Sequence, residues 1–153
     1  MDGLPRRGSY ETPENRAREA AVASAVAAHF GMRAEALKRF SPIDYALVDP
    51  VTGHVQCWLE IKCRNNGHDR FETYAIGLSK VAALRQWSYV SGKPAFLAIA
   101  FNDGIFLWDS SDFRNDISHI EIGGTVKRGD PADIEPMVHI PMTSFHRLPS
   151  GTA

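Results

Sequence analysis

Trp58-Leu59-Glu60-Ile61-Lys62-Cys63 sets an acid and a base two positions apart inside a run that otherwise reads as a β-strand. Side chains of a strand alternate between its faces, so Gln56, Trp58, Glu60 and Lys62 share one face. Cys57, Leu59, Ile61 and Cys63 share the other, and that set is apolar enough to be core. The charges on the first face are tolerable only where they meet a partner, solvent or an ion.

Upstream lies Ile43-Asp44-Tyr45-Ala46-Leu47-Val48, joined to this run through Asp49-Pro50-Val51-Thr52-Gly53, whose residues favour a turn; the two runs read as a hairpin. Pairing Asp49 with His54 sets Asp44 opposite Leu59, and a one-residue bulge sets it opposite Glu60. Either register brings two carboxylates and a lysine together near the ends of adjacent strands. Close carboxylates repel, and a shared proton or a divalent cation relieves them. With oxygen ligands and no histidine or thiolate on the same face, the cation expected is Mg²⁺ or Mn²⁺ rather than Zn²⁺. Lys62 then stands beside the metal, where it can orient or deprotonate a water and balance the charge of a phosphate. That set suits phosphodiester hydrolysis. The ordinary alternative is a Glu–Lys pair on a solvated sheet face, with Asp44 serving a turn.

Around the hairpin the chain alternates helix and strand signals. Thr12 as N-cap, Pro13 at the first helical position, Glu14 in the first turn and a stop at Gly31 define a helix over 13–30. Asn15, Glu19, Val22, Val26 and Phe30 recur at steps of three or four, so Glu19 either points inward or sits solvated at the edge of the stripe. A second short helical piece is expected over Arg33 to Phe40, and a polar loop over Arg64 to Phe71. A long helix starts at Leu78 or Ser79 and runs to Val90, closed by Ser91-Gly92. Ala95 to Phe101, the turn Asn102-Asp103-Gly104, and Ile105 to Trp108 read as a second hairpin. Further strands are expected at Ser118 to Ile122 and Met137 to Pro141. The order helix, hairpin, helix, hairpin implies an α/β sandwich around a mixed sheet centred on the first hairpin.

Length and composition set bounds on this picture. A chain of 153 residues with 44% hydrophobic content suits one domain: a flexible arm at 1–11, a domain at 12–148 with its core at 12–108 and a C-terminal extension at 109–148, and a tail at 149–153. A net charge of -1 excludes a generally basic nucleic-acid coat protein, so a nucleic-acid site must be local. Arg64, Arg70, Lys80, Arg85 and Lys93 are candidates for a phosphate-tracking patch, or are scattered surface bases. Two cysteines, too few for a zinc site or a disulfide framework, fit a reducing cytoplasm. No signal peptide or membrane span is expected. The six histidines lack H-x-x-x-H spacing, so surface or core roles are expected for them. Gly123 to Gly129 reads as a turn because it lacks the G-K-[ST] ending of a phosphate loop, and Asp130, Asp133 and Glu135 read as solvated.

Pro42-Ile43-Asp44 followed, after a hairpin-sized gap, by Glu60-Ile61-Lys62 resembles the PD-(D/E)XK nuclease superfamily and its Holliday-junction-resolvase-like variants. The resemblance spans about residues 12–108 and departs from the pattern in setting Pro-Ile, not Pro alone, before the aspartate. It implies a three-layer restriction-endonuclease-like sandwich, with a central mixed β-sheet flanked by helices. It also implies that Asp44, Glu60 and the backbone carbonyl of Ile61 hold Mg²⁺ or Mn²⁺, and that Lys62 serves the nucleophilic water. Glu19 matches a first-helix glutamate that joins the site, and Lys80 a polar residue from the helix after the motif strand, with Gln86 as its rival. The activity implied is a metal-dependent endonuclease cutting DNA, branched or structured DNA included, with a homodimer as one arrangement. The alternative from a different class is a catalytically inactive nuclease-fold subunit that binds nucleic acid or serves assembly.

Overall fold

The computed structural model describes residues 12–124 and 134–149. Helix α1, Pro13–His29, begins where the Thr12 hydroxyl accepts a hydrogen bond from the Asn15 N–H at 3.1 Å, and the chain leaves it through Gly31 at φ 67°. Its buried stripe is Val22, Ala23, Val26 and Ala27, so the alanines share the burial and Phe30 stays part-exposed against Phe96.

Arg33–Ala36 is not helical. It forms strand β1, antiparallel to β2, Tyr45–Val48. The expected short helix is replaced by a strand because Ser41-Pro42 leaves room for few helical turns, whereas the open edge of β2 supplies ladder partners along the segment. Strand β3 follows at Val55–Cys63, β4 at Thr73–Gly77, and helix α2 at Leu78–Ser91, ended by Gly92 in the left-handed conformation. Strands β5, Ala95–Phe101, and β6, Gly104–Asp109, make the second hairpin. A short α3, Phe113–Asp116, leads to β7, His119–Gly124; then come β8, Ile134–Pro141, and β9, His146–Arg147.

The main sheet has the order β1-β2-β3-β5-β6-β9. The β3–β5 pair is parallel and the remaining pairs are antiparallel, so the sheet is mixed. A smaller antiparallel sheet has the order β4-β8-β7. A parallel pair needs a crossover, and here β4 and α2 provide it.

The alternation read from the sequence is realised on β3. Cys57, Leu59 and Ile61 pack under α1 with Leu47, Ala98, Ala100 and Leu107. Burial pushes the Cys57 thiol up to about 11, so it behaves as a packing group, and neither cysteine is in a disulfide. On the opposite face, Leu97, Ile99 and Trp108 meet Val81 and Leu84 of α2, together with Tyr74, Ile76, Val138 and Ile140 from the inner face of the small sheet. The result is the α/β sandwich with a central mixed sheet flanked by helices. Val138 and Ile140 are fully buried, so residues of the C-terminal extension are built into this core.

The arm at 1–11 and the residues 125–133 and 150–153 lie outside the described residues, and with them most of the Gly123–Gly129 turn, Asp130 and Asp133. Among the described residues no helix is long and apolar enough to cross a membrane.

Candidate active site

The site forms where β2 stops and β3 continues. Leu47 pairs with Cys57 but Val48 pairs with Val55, so Gln56 is an inserted residue and the hairpin carries a bulge. That shift sets Tyr45 opposite Leu59, and therefore the preceding Asp44 level with Glu60. Of the two registers the sequence left open, the bulged one is adopted.

Asp44 Oδ2 accepts a hydrogen bond from the Ile61 N–H at 2.9 Å, so the carboxylate occupies the place a further β2 residue would have taken. The Trp58 and Arg64 N–H groups instead point to the other side, towards Pro94 and Ala100. Because the N–H and C=O of one strand residue face the same edge, the Ile61 carbonyl looks towards Asp44.

Glu60 projects to the α2 side of the sheet and is only 1% exposed. Its Oε2 lies 3.6 Å from Lys62 Nζ and 3.4 Å from Lys80 Nζ. Its Oε1 has no hydrogen-bond partner. Burial first, and then the neighbouring Asp44 charge, push the Glu60 carboxyl up to about 7, while the two lysines pull it the other way. Lys80, in the first turn of α2, also donates to the Pro42 carbonyl at 3.1 Å, tying the segment that carries Asp44 to the helix.

Asp44, Glu60, Lys62 and Lys80 are thus brought together. Gln86 is exposed further along α2. Glu19 is half-buried on α1 within electrostatic reach of Cys63, on the opposite face of β3 from Glu60 and Lys62. Trp58 fills the sheet face, donating to Ser91 Oγ at 2.9 Å and meeting the Trp87 ring edge-on.

A buried carboxylate oxygen beside a second carboxylate is a costly arrangement unless a proton shared with Asp44 or a cation completes it. The donors on hand are all oxygens, from Asp44, Glu60 and the Ile61 carbonyl. This chemistry fits a hard divalent ion such as Mg²⁺ or Mn²⁺.

Arg18 of α1 donates to the Arg64 carbonyl and to Asn65 Oδ1, both at 2.9 Å, fastening the loop that follows β3. The same loop is held by Asn102 and Asp103: the His68 N–H donates to Asp103 Oδ1 at 3.0 Å, and the His68 ring stacks on Phe106. The His68 hydrogen bond holds the Asp103 carboxyl below the usual carboxylate range. The loop expected to be polar is therefore anchored from Arg64 to His68. Its one sequence signal was that Arg18 lies a turn before Val22 on the buried stripe of α1.

The basic residues divide. Arg64 lies over the Tyr74 ring at 5.2 Å and, with Lys80, borders the site, whereas Arg85 packs over Phe113 at 5.2 Å and Arg70 over Phe71 at 5.5 Å.

A family model described as "Phage putative PDDEXK endonuclease" matches residues 5–148 of the chain. No curated protein sequence matches it. Among solved structures, Hjc, a Holliday junction resolvase from the archaeal hyperthermophile Archaeoglobus fulgidus, is similar at 15% identity with a TM-score of 0.49. That match covers 84% of this chain and 82% of the resolvase chain.

Proposed function

The chain belongs to the phage PDDEXK endonuclease family, and from this premise we propose that it is a divalent-metal-dependent endonuclease that hydrolyses DNA phosphodiester bonds. The observation that carries the reading is Glu60: a carboxylate 1% exposed, with one oxygen shared by two lysines and the other unpartnered beside Asp44. A shared proton relieves such a pair at low pH, and a cation answers its charge once that proton is lost.

Asp44, Glu60 and the Ile61 carbonyl would hold Mg²⁺ or Mn²⁺, which supplies positive charge to the scissile phosphate. Lys62, whose side chain is 34% exposed, reaches from Glu60 to the solvent at the mouth of the cleft. It orients the attacking water and balances charge as the water oxygen bonds to phosphorus. The attacking water gives up its proton to solvent at the mouth of the cleft as the bond to O3′ breaks in line with that attack, and the departing oxygen takes a proton from solvent, leaving a 3′-hydroxyl and a 5′-phosphate. Lys80 positions Glu60 against the Pro42 backbone, and Glu19 acts as an auxiliary carboxylate from α1 near the end of β3. Arg64 and Lys80 offer contacts to the DNA backbone. We extend the proposal to branched or structured DNA as substrate and to a homodimer presenting two such sites. Its setting is the cytoplasm, where both cysteines remain free thiols.

Plasmid, branched and single-stranded DNA incubated with the protein and Mg²⁺ tests this. Cleavage by the wild type that is lost in Lys62→Ala and Asp44→Asn supports the assignment. A wild type that cuts none of these substrates and binds no Mn²⁺ overturns it in favour of a non-catalytic binding subunit.

A further inference from the structure

On the outer face of the small sheet, far in sequence from the nuclease motif, three side chains converge that phosphodiester hydrolysis does not use. His119 of β7 pairs directly with His139 of β8, and Glu121 projects from the same face of β7. The two imidazoles stack with centroids 4.2 Å apart and 12° between planes. Glu121 Oε1 lies 2.8 Å from His139 Nε2. One ligand atom from each of the three residues falls within 4.8 Å of the others.

The surroundings select particular ring nitrogens. Thr73 Oγ1 lies 2.8 Å from His139 Nδ1, and Ser118 Oγ lies 3.0 Å from His119 Nδ1. A hydroxyl or carbonyl on the distal nitrogen is how proteins orient a metal-ligating histidine. Here both Nδ1 atoms are so engaged, leaving Nε2 of each ring as the nitrogen able to ligate.

We propose that His119, Glu121 and His139 form a second metal site, one for a borderline transition-metal dication of which Zn²⁺ is the best fit. Two imidazoles, a carboxylate and a water complete the four-coordinate shell that Zn²⁺ prefers, whereas Mg²⁺ avoids such a nitrogen-rich set. A simple ion pair accounts for Glu121 and His139 but gives no role to His119, whose ring Ser118 holds against its neighbour. A shared ion uses all three once the His119 ring turns out of its stack, so that its in-plane Nε2 lone pair meets that of His139.

The site also answers a mechanical need. β7 is an edge strand whose inward-facing Ile120 and Ile122 remain 51% and 75% exposed, so burial does little to hold its register. A metal bridging β7 and β8, with Thr73 of β4 behind it, fastens all three strands of the small sheet.

Zn²⁺ titration of the full chain by calorimetry, in excess Mg²⁺ to satisfy the Asp44–Glu60 site, reads this directly. Wild type and Asp44→Asn are expected to bind one Zn²⁺, and Co²⁺ in its place to show the visible bands of four-coordinate geometry. His119→Ala and Glu121→Gln, both at exposed positions, are expected to weaken binding tenfold or more with the metal-free Tm unchanged. Thr73→Ala, which removes only the supporting hydroxyl, is expected to weaken it about 10- to 100-fold. At a hundredfold excess over the dissociation constant, Zn²⁺ raises the wild-type Tm by about 5–10 °C. Equal Zn²⁺ affinity in wild type and His119→Ala, or a Zn²⁺ site lost in Asp44→Asn alone, overturns the proposal.

Discussion

Glu60 and Glu121 invite comparison because both are strand acids with a basic side chain two residues away, Lys62 in one case and His119 in the other. Their surroundings differ. Glu60 is 1% exposed beneath α2, while the Glu121 side chain is 59% exposed on an outer face. Water can stand in for any partner Glu121 lacks, whereas nothing but protein or a bound ion can stand in for the partner missing from Glu60 Oε1. Similar local sequence therefore yields an acid that depends on its neighbours in one place and a replaceable surface ligand in the other. Burial, more than charge, sets the first apart as the proposed site of chemistry.

The largest effect expected from breaking this contrast is on cleavage. Asp44→Asn or Lys62→Ala should lower the DNA cleavage rate by about 10²- to 10⁴-fold, measured in single-turnover assays with Mg²⁺. The Asn variant keeps an oxygen able to accept from the Ile61 N–H, so its circular dichroism should match the wild type.

Stability should report the same burial through pH. The folded Glu60 carboxyl titrates at about 7 against an ordinary 4.5, so the folded protein binds the extra proton more tightly between those values. Metal-free stability is then highest at or below about pH 4.5 as far as this group is concerned. It falls as pH rises through 7, by roughly 3 kcal/mol if the whole shift is expressed. Urea unfolding at pH 5 and pH 8 would measure the fall. Glu60→Gln should flatten it, and Mg²⁺ should restore stability in the wild type at pH 8 but not in the variant.

How far these features were legible in the sequence follows from the range of the interactions behind them. α1, α2 and the two hairpins are marked by caps, glycine stops and period-two alternation, all within a few residues. The Asp44–Glu60 juxtaposition followed from a hairpin whose register local pairing narrowed to two choices, and the bulge at Gln56 decided between them. β1 was misread because Arg33-Ala34-Glu35-Ala36 has a helix-forming composition and becomes a strand only through the open edge of β2. β4 went unread because its partner, β8, lies more than fifty residues downstream. Shorter but still non-local separations hide the reach of Arg18 to Asn65 and the meeting of His119 with His139, which no spacing along one segment can announce. Lys80 came from family resemblance, and its contacts with Glu60 and Pro42 give it a physical reason.

Two smaller perturbations sharpen the contrast. Lys80→Ala removes one of the two cations beside Glu60 Oε2, so the carboxyl should hold its proton to higher pH. The pH-dependent loss of stability should then move upward, visible as a displaced midpoint in a plot of unfolding free energy against pH.

At the other acid, Glu121→Gln in metal-free buffer should change stability by no more than about 0.5 kcal/mol at any pH from 5 to 8, because solvent replaces what an exposed ion pair provides. Chemical denaturation across that range measures it. A change as large and as pH-dependent as that of Glu60→Gln would mean that the outer face of the small sheet is covered, and that burial no longer separates the two acids. A flat, small response leaves Glu60 as the acid whose second oxygen the fold leaves to a proton or to the cation it would hold.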